Sequence, residues 1–119
     1  MEDRSESRAA PQQPAQGLVS DRRESVRVPI VLQIREVALG GSFEERAGNL
    51  GLGGVYFESL HPPVGSRFEL RFLLPGTSEV AVPGEVLRFT REGERFGIHL
   101  RFVDVPLDTE LAIARFLQG

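Results

Sequence analysis

Cysteine is absent from this chain of 119 residues, and so is lysine. Without thiols the chain has no disulfides, no thiolate metal sites and no cysteine nucleophile. All 14 basic residues are therefore arginine. A compositional bias of the genome explains that total, although arginine also suits recognition of planar, anionic groups. The two histidines, His61 and His99, lack a metal-binding spacing, and we interpret both as surface residues.

Long apolar runs are also missing, which argues against a segment that spans a bilayer. The first residues are polar and charged, unlike a secretion signal. The formal net charge is −3, whereas nucleic-acid binding is driven by a basic surface that neutralises phosphates. We therefore expect a cytoplasmic protein without membrane insertion and without a DNA or RNA partner.

The chain divides into a polar leader and one folded domain. Residues 1–20 are rich in Ser, Gln, Pro, Ala and charge and show no strand or helix periodicity. Such a composition buries too little apolar surface to order a chain, so this leader is predicted to be disordered. Residues 21–119 are long enough for one domain with one hydrophobic core.

Strand signals dominate the folded part. Ile30, Leu32 and Ile34 alternate with polar or outward residues, which is typical of a half-buried strand. Gly40 and Gly41 predict a hairpin turn. The predicted strands cover residues 28–37, 42–47, 55–61, 68–74, 79–91 and 95–103, with a bulge or bend expected at Pro83-Gly84 in the fifth.

After residue 103 the apolar spacing becomes helical, with a start at Asp104 or Pro106. Closure into a barrel removes the exposed edges that so few strands would otherwise leave. The predicted fold is all-β, a six-stranded antiparallel barrel with a C-terminal α-helix.

A glycine-rich segment, NLGLGG at residues 49–54, separates the second and third predicted strands. Glycine loops that cradle a dinucleotide need a helix after them, but the next residues, VYF, indicate a strand, so that type of site is excluded. A tight turn with Gly51, Gly53 or Gly54 at positive φ accounts for the glycines. Asn49 is itself a common turn residue.

Arginines cluster just before the first strand, in the sequence DRRESVR. One interpretation is a solvated linker, partly neutralised by Asp21 and Glu24. The other is an anion clamp formed by Arg22, Arg23 and Arg27. Guanidinium groups bind phosphates through paired hydrogen bonds, read the O6/N7 edge of guanine and stack on bases. The cluster alone leaves both interpretations open.

Taken together, the two segments resemble the PilZ domain family. An Arg-x-x-x-Arg motif before the first strand is matched by Arg23 and Arg27, with Arg22 as an additional arginine. An Asp/Asn-x-Ser-x-x-Gly motif after the second strand is matched from Asn49 to Gly54. The resemblance runs from about Arg22 to the C terminus and also includes Gly53-Gly54-Val55-Tyr56-Phe57, Pro63-Val64-Gly65 and Phe96-Gly97-Ile98.

This resemblance implies a receptor for the bacterial second messenger cyclic di-GMP, without catalysis and without a further cofactor or metal. The ligand-binding residues that it implies are Arg22, Arg23, Arg27, Asn49, Gly51 and Gly54. The arginines would hold phosphates and guanine edges, Asn49 would hydrogen-bond a base or ribose, and Gly54 would keep the turn close to the ligand. The arginine-bearing leader would become ordered over the barrel on binding, and an unidentified protein partner would recognise the new surface.

Gly51 departs from the family pattern, which has serine there. Losing one hydrogen bond to a charged group costs roughly 1.5–3 kcal/mol, or about one to two powers of ten in affinity. A second hypothesis is therefore a PilZ-like adaptor that regulates a partner without binding nucleotide. A single-strand nucleic-acid barrel is disfavoured by the negative charge and the inward phenylalanines. No arrangement of carboxylates, Ser–His–Asp residues or metal ligands indicates an enzyme.

Overall fold

A computed structural model of the protein describes residues 26–119. The predicted disorder of residues 1–20 and the positions of Arg22 and Arg23 lie outside these residues. Within them, six antiparallel strands form a closed barrel that is followed by one helix, which confirms the predicted fold. The elements are β1 (Val28–Glu36), β2 (Glu44–Leu50), β3 (Gly54–Ser59), β4 (Arg67–Leu73), β5 (Glu79–Glu92), β6 (Arg95–Phe102) and α1 (Leu107–Gln118).

The strands follow the order β1-β2-β3-β6-β5-β4 around the barrel, and β4 closes it by pairing with β1. Every neighbouring pair is antiparallel. Because the barrel is closed, no strand edge is left open. One side of the barrel is formed by β2, β3 and β6, and the opposite side by β1, β4 and β5. Strands β3 and β6 are far apart in the sequence but pair in the barrel, and this pairing positions the candidate site.

Every second side chain along the strands points inward, and these apolar side chains fill the barrel interior. Leu32 and Ile34 are buried and Ile30 is half-buried, whereas Val31 is 56% exposed, so the inward face predicted for the first strand is confirmed. The helix packs against the barrel through Ile113, which is fully buried. Within the described part of the chain, fifteen buried apolar residues form the core: Leu32, Ile34, Leu50, Val55, Phe57, Phe68, Leu70, Phe72, Leu74, Val80, Val82, Ile98, Leu100, Phe102 and Ile113.

The β1–β2 hairpin turns at the predicted glycines. Gly40 and Gly41 have φ angles of 69° and 79°, a region in which a side chain is strained and glycine is favoured. Nothing lies near either Cβ position. The turn therefore needs these glycines for their backbone conformation rather than for space.

Two features of the predicted strands differ from the structure. The second strand runs to Leu50 rather than to residue 47 because Leu50 is fully buried in the core, and core burial outweighs the turn preference of Asn49. The break expected at Pro83-Gly84 is absent, since both residues pair in register with β4. A Cβ on Gly84 would lie 2.9 Å from Cδ1 of Leu70, so this glycine makes room for packing inside the barrel. The irregularity lies further on, where the β5–β6 register shifts around Leu87.

Candidate ligand-binding site

Arg27 and the β2–β3 turn meet at one end of the barrel. Val28, the first residue of β1, pairs with Leu50, the last residue of β2. Arg27 is consequently brought beside Gly51, where a Cβ would lie 3.9 Å from Nε of Arg27. The last residue of the arginine motif, Arg27, thus lies beside the middle residue of the glycine motif, Gly51.

Backbone hydrogen bonds fix the turn. The amide of Gly51 donates to the carbonyl of Gly54 at 2.9 Å, and the amide of Phe102 donates to the carbonyl of Gly53 at 2.9 Å. None of Gly51, Gly53 and Gly54 has a positive φ, so that part of the prediction is wrong. The turn is tied to β6 by hydrogen bonding and does not need a left-handed backbone.

Gly54 is required by the close approach of two strands. A Cβ at this position would lie 1.9 Å from the carbonyl oxygen of Leu100 and 2.9 Å from Cα of Arg101. Gly54 pairs with Arg101, so the obstacle is the backbone of β6 itself. The close packing of β3 against β6 is therefore sufficient to explain why residue 54 is a glycine. A role of Gly54 beside a ligand stays a prediction.

A cleft of about 440 Å³ opens at this end of the barrel. Arg27, Gly51 and Gly54 all line it, together with His99 and Arg101 from β6. The volume lies within the range of small-molecule sites, roughly 300–1,000 Å³. Three of the predicted site residues therefore share one concave surface.

Asn49 faces a neighbouring cleft of about 410 Å³, which Tyr56 and Arg95 also line. Asn49 belongs to β2 rather than to the turn, and it is paired with Tyr56 on β3. Tyr56 is in turn paired with His99 on β6, and the two ring centroids are 4.6 Å apart. His99 also pairs with Arg88 on β5. One outward row of side chains, Asn49, Tyr56, His99 and Arg88, thereby links the two clefts.

His61 is exposed as expected, whereas His99 faces outward but is half-buried, so its interpretation as a surface residue is only partly right. Burial lowers the pKa of His99 below its ordinary value of 6.5. The guanidinium groups of Arg88 and Arg27 lower the pKa further, and the carboxylate of Glu92 opposes them. The imidazole is therefore neutral at pH 7 and lies in a locally positive field.

We expect this histidine to make the folded state less stable in mild acid. Because the folded pKa is lowered, the unfolded chain binds more protons, and stability falls as the pH drops from the unfolded pKa of about 6.5 towards the folded pKa. Urea unfolding at about pH 7.5 and about pH 5.5 measures the effect. His99→Gln should lose less stability on acidification than the parent. His61→Gln, at an exposed position, controls for losing a histidine, and equal losses in the parent and His99→Gln would contradict the assignment.

Sequence reasoning missed Tyr56, His99, Arg95 and Arg101. Alternation did indicate their outward direction, since Phe57 and Ile98 on the same strands point inward. It could not indicate that β3 pairs with β6. Among residues 26–119 no cluster of three or more His, Asp or Glu side chains could hold a metal ion. In the same part of the chain, no helix is long and apolar enough to cross a membrane.

Solved structures share this fold. The Bacillus subtilis inhibitor of motility (MotI/DgrA) superposes with a TM-score of 0.62 at 16% identity, over 78% of this chain and 48% of that one. The PilZ domain of CeSA from a cellulose-synthesizing bacterium gives a TM-score of 0.55 at 22% identity, over 80% and 97% of the two chains. A tetrameric PilZ domain from Xanthomonas campestris gives 0.50 at 20% identity, over 66% and 46%. The present chain thus spans about half the length of the B. subtilis protein.

Sequence comparison agrees with the structural one. A search among curated proteins finds no significant match. The family model described as PilZ domain, however, matches residues 21–119, which include the barrel, the helix and both candidate motifs. The chain belongs to the PilZ domain family.

Proposed function

We propose that this protein is a cytoplasmic receptor for cyclic di-GMP, and that its arginine-bearing segment orders over the barrel on binding to present a surface to a protein partner. PilZ domains are generally cyclic di-GMP receptors or adaptors rather than catalysts. The observation that carries the proposal is that Arg27 lies beside Gly51, so that the two motifs meet at one cleft.

The electrostatics of the site support an anionic ligand. Arg88 is paired with His99 across β5 and β6, and Arg27 lines the same cleft as His99. Both arginines lower the pKa of the imidazole. Arg101 is already held by Glu85, with 2.6 Å between Nη2 and Oε1. Arg27, joined by Arg22 and Arg23 from the preceding segment, is therefore the proposed phosphate-binding group, since charge-assisted bonds to phosphate are the strong ones.

Isothermal titration calorimetry of the protein with cyclic di-GMP, and with GTP as a control, tests the proposal. We expect a Kd in the micromolar range or tighter, with selectivity over GTP. Hydrogen exchange in the same samples should show added protection of amides 21–27 when the ligand is present. No heat at high ligand concentration would contradict receptor function.

A ligand-free adaptor is the second candidate, and Gly51 is the residue that favours it. The structure leaves room for the serine of the family pattern, because a Cβ at Gly51 meets its nearest atom, the carbonyl oxygen of Val26, at 3.6 Å. The φ of Gly51 is not positive, so a side chain adds no backbone strain.

Gly51→Ser should therefore fold normally and bind cyclic di-GMP roughly ten times more tightly than the parent, the effect of one hydrogen bond to a charged group. Gly51→Ala is the matched control, since it adds the Cβ without the hydroxyl. Binding by Gly51→Ser alone, with none by the parent, would identify the parent as an adaptor. Equal affinities of the serine and alanine variants would show that the hydroxyl has no role.

A further inference from the structure

Tyr56 is held against the outside of the barrel by its hydroxyl group. Its hydroxyl donates to Oε1 of Glu92 at 3.0 Å, and Thr90 donates to the other carboxylate oxygen at 3.2 Å. A Cβ on Gly97 would lie 2.6 Å from the hydroxyl and 2.8 Å from Cε1 of Tyr56. The ring thus lies across a glycine of β6 with its phenol end fixed.

Protonation does not disturb this arrangement. Burial raises the pKa of Tyr56 above its ordinary value of 10.0, and the hydrogen bond and charge of Glu92 raise it further. The ring therefore stays a neutral phenol near neutral pH and keeps its donor. The neighbouring ring of His99, 4.6 Å away between centroids, supports the orientation from the side.

The cleft beside Tyr56 has the groups that a guanine base requires. Arg95, Asn49 and Glu58 line it together with the tyrosine. An arginine fork matches the O6 and N7 acceptors of guanine, and a carboxylate accepts from the N–H groups of its opposite edge. Within residues 26–119 no carboxylate forms an ion pair with Arg95 or an arginine with Glu58. Within that part of the chain, neither side chain is held in place by an ion pair.

We propose that this cleft is a guanine-binding subsite in which Tyr56 is the stacking platform and Arg95 reads the base edge. The inference rests on the proposed function, since the guanine is one of the two bases of cyclic di-GMP. Arg27 holds phosphate in the adjoining cleft, and the row from Asn49 to Arg88 connects the two. Stacking on an aromatic residue tolerates any base, so Arg95 supplies the preference for guanine.

Tyr56 is the sole tyrosine, and the chain has no tryptophan. Incorporation of 3-fluorotyrosine therefore gives a single ¹⁹F resonance from the subsite in the otherwise unaltered protein. Addition of cyclic di-GMP should move this resonance through the ring current of the stacked base. An unmoved resonance at a concentration that saturates the calorimetric signal would overturn the subsite and leave the receptor function standing.

Two substitutions distinguish a stacking role of Tyr56 from a purely structural role in covering Gly97. Tyr56→Phe retains the aromatic face and should change Kd by about twofold or less, whereas Tyr56→Leu covers Gly97 without it and should weaken binding roughly tenfold. Thermal melts of both variants verify folding, and equal affinities would overturn the stacking role.

Cyclic di-AMP tests the base edge, because adenine offers a donor where guanine has O6. The parent should prefer cyclic di-GMP, and Arg95→Gln should reduce that preference by roughly tenfold. An unchanged preference would overturn the role of Arg95. Absence of heat from the parent with either ligand would instead overturn the receptor function and the subsite with it.

Discussion

Arg27→Ala is expected to weaken binding of cyclic di-GMP by at least about tenfold, because losing a hydrogen bond to a charged group costs roughly 1.5–3 kcal/mol. The fold should survive, since Arg27 is exposed and precedes the first strand. Calorimetry measures the affinity, and a thermal melt verifies the fold. Arg23→Ala should have a similar effect through the other arginine of the motif.

Arg71→Ala is the matched control for Arg27→Ala. Arg71 is exposed on β4, on the side of the barrel opposite the site, and its guanidinium lies 4.1 Å from the ring centroid of Phe43. The substitution removes the same charge, so it corrects for the general field of the protein. We expect a change in Kd of about twofold or less. If Arg27→Ala behaved like Arg71→Ala, the assignment of Arg27 to the ligand would be wrong.

Gly54→Ala is expected to destabilise the protein by about 3 kcal/mol or more, which for a domain of this size can abolish folding. The added Cβ would lie 1.9 Å from the carbonyl oxygen of Leu100, whereas even close C–H···O contacts are about 3.3–3.6 Å long. The carbonyl belongs to the strand that pairs with β3 and cannot withdraw without breaking the barrel. Urea denaturation measures the loss.

Gly53→Ala tests the same chemical change one residue earlier. No atom lies within 4 Å of a Cβ at Gly53, and its φ is not positive. We therefore expect a stability change within about 1 kcal/mol, the ordinary range for a surface substitution. Similar stabilities of the Gly53 and Gly54 variants would show that β3 and β6 do not approach as closely as described.

Much of the architecture could be read from local patterns. Alternation has a period of two, so it assigned Leu32 and Ile34 to the interior and their neighbours to the surface. Gly40 and Gly41 marked a turn that needs positive φ, and proline with helical spacing marked the C-terminal helix. These features depend on residues close together in the chain, which is why the sequence was sufficient to predict them.

The composition of the site depended on contacts that local patterns do not encode. Alternation showed that Tyr56 and His99 point outward, but only barrel closure placed β3 beside β6 and brought their rings together. The same pairing explains Gly54 by the backbone of Leu100.

The sequence alone thus determined the inward and outward faces of the strands and revealed the arginine motif and the glycine motif. Only the tertiary structure decided which faces are neighbours, that Arg27 lies over Gly51, and that Asn49 opens onto a separate cleft with Tyr56. The physical reason is that strand pairing is set by the packing of one shared core, which a short window of sequence does not contain.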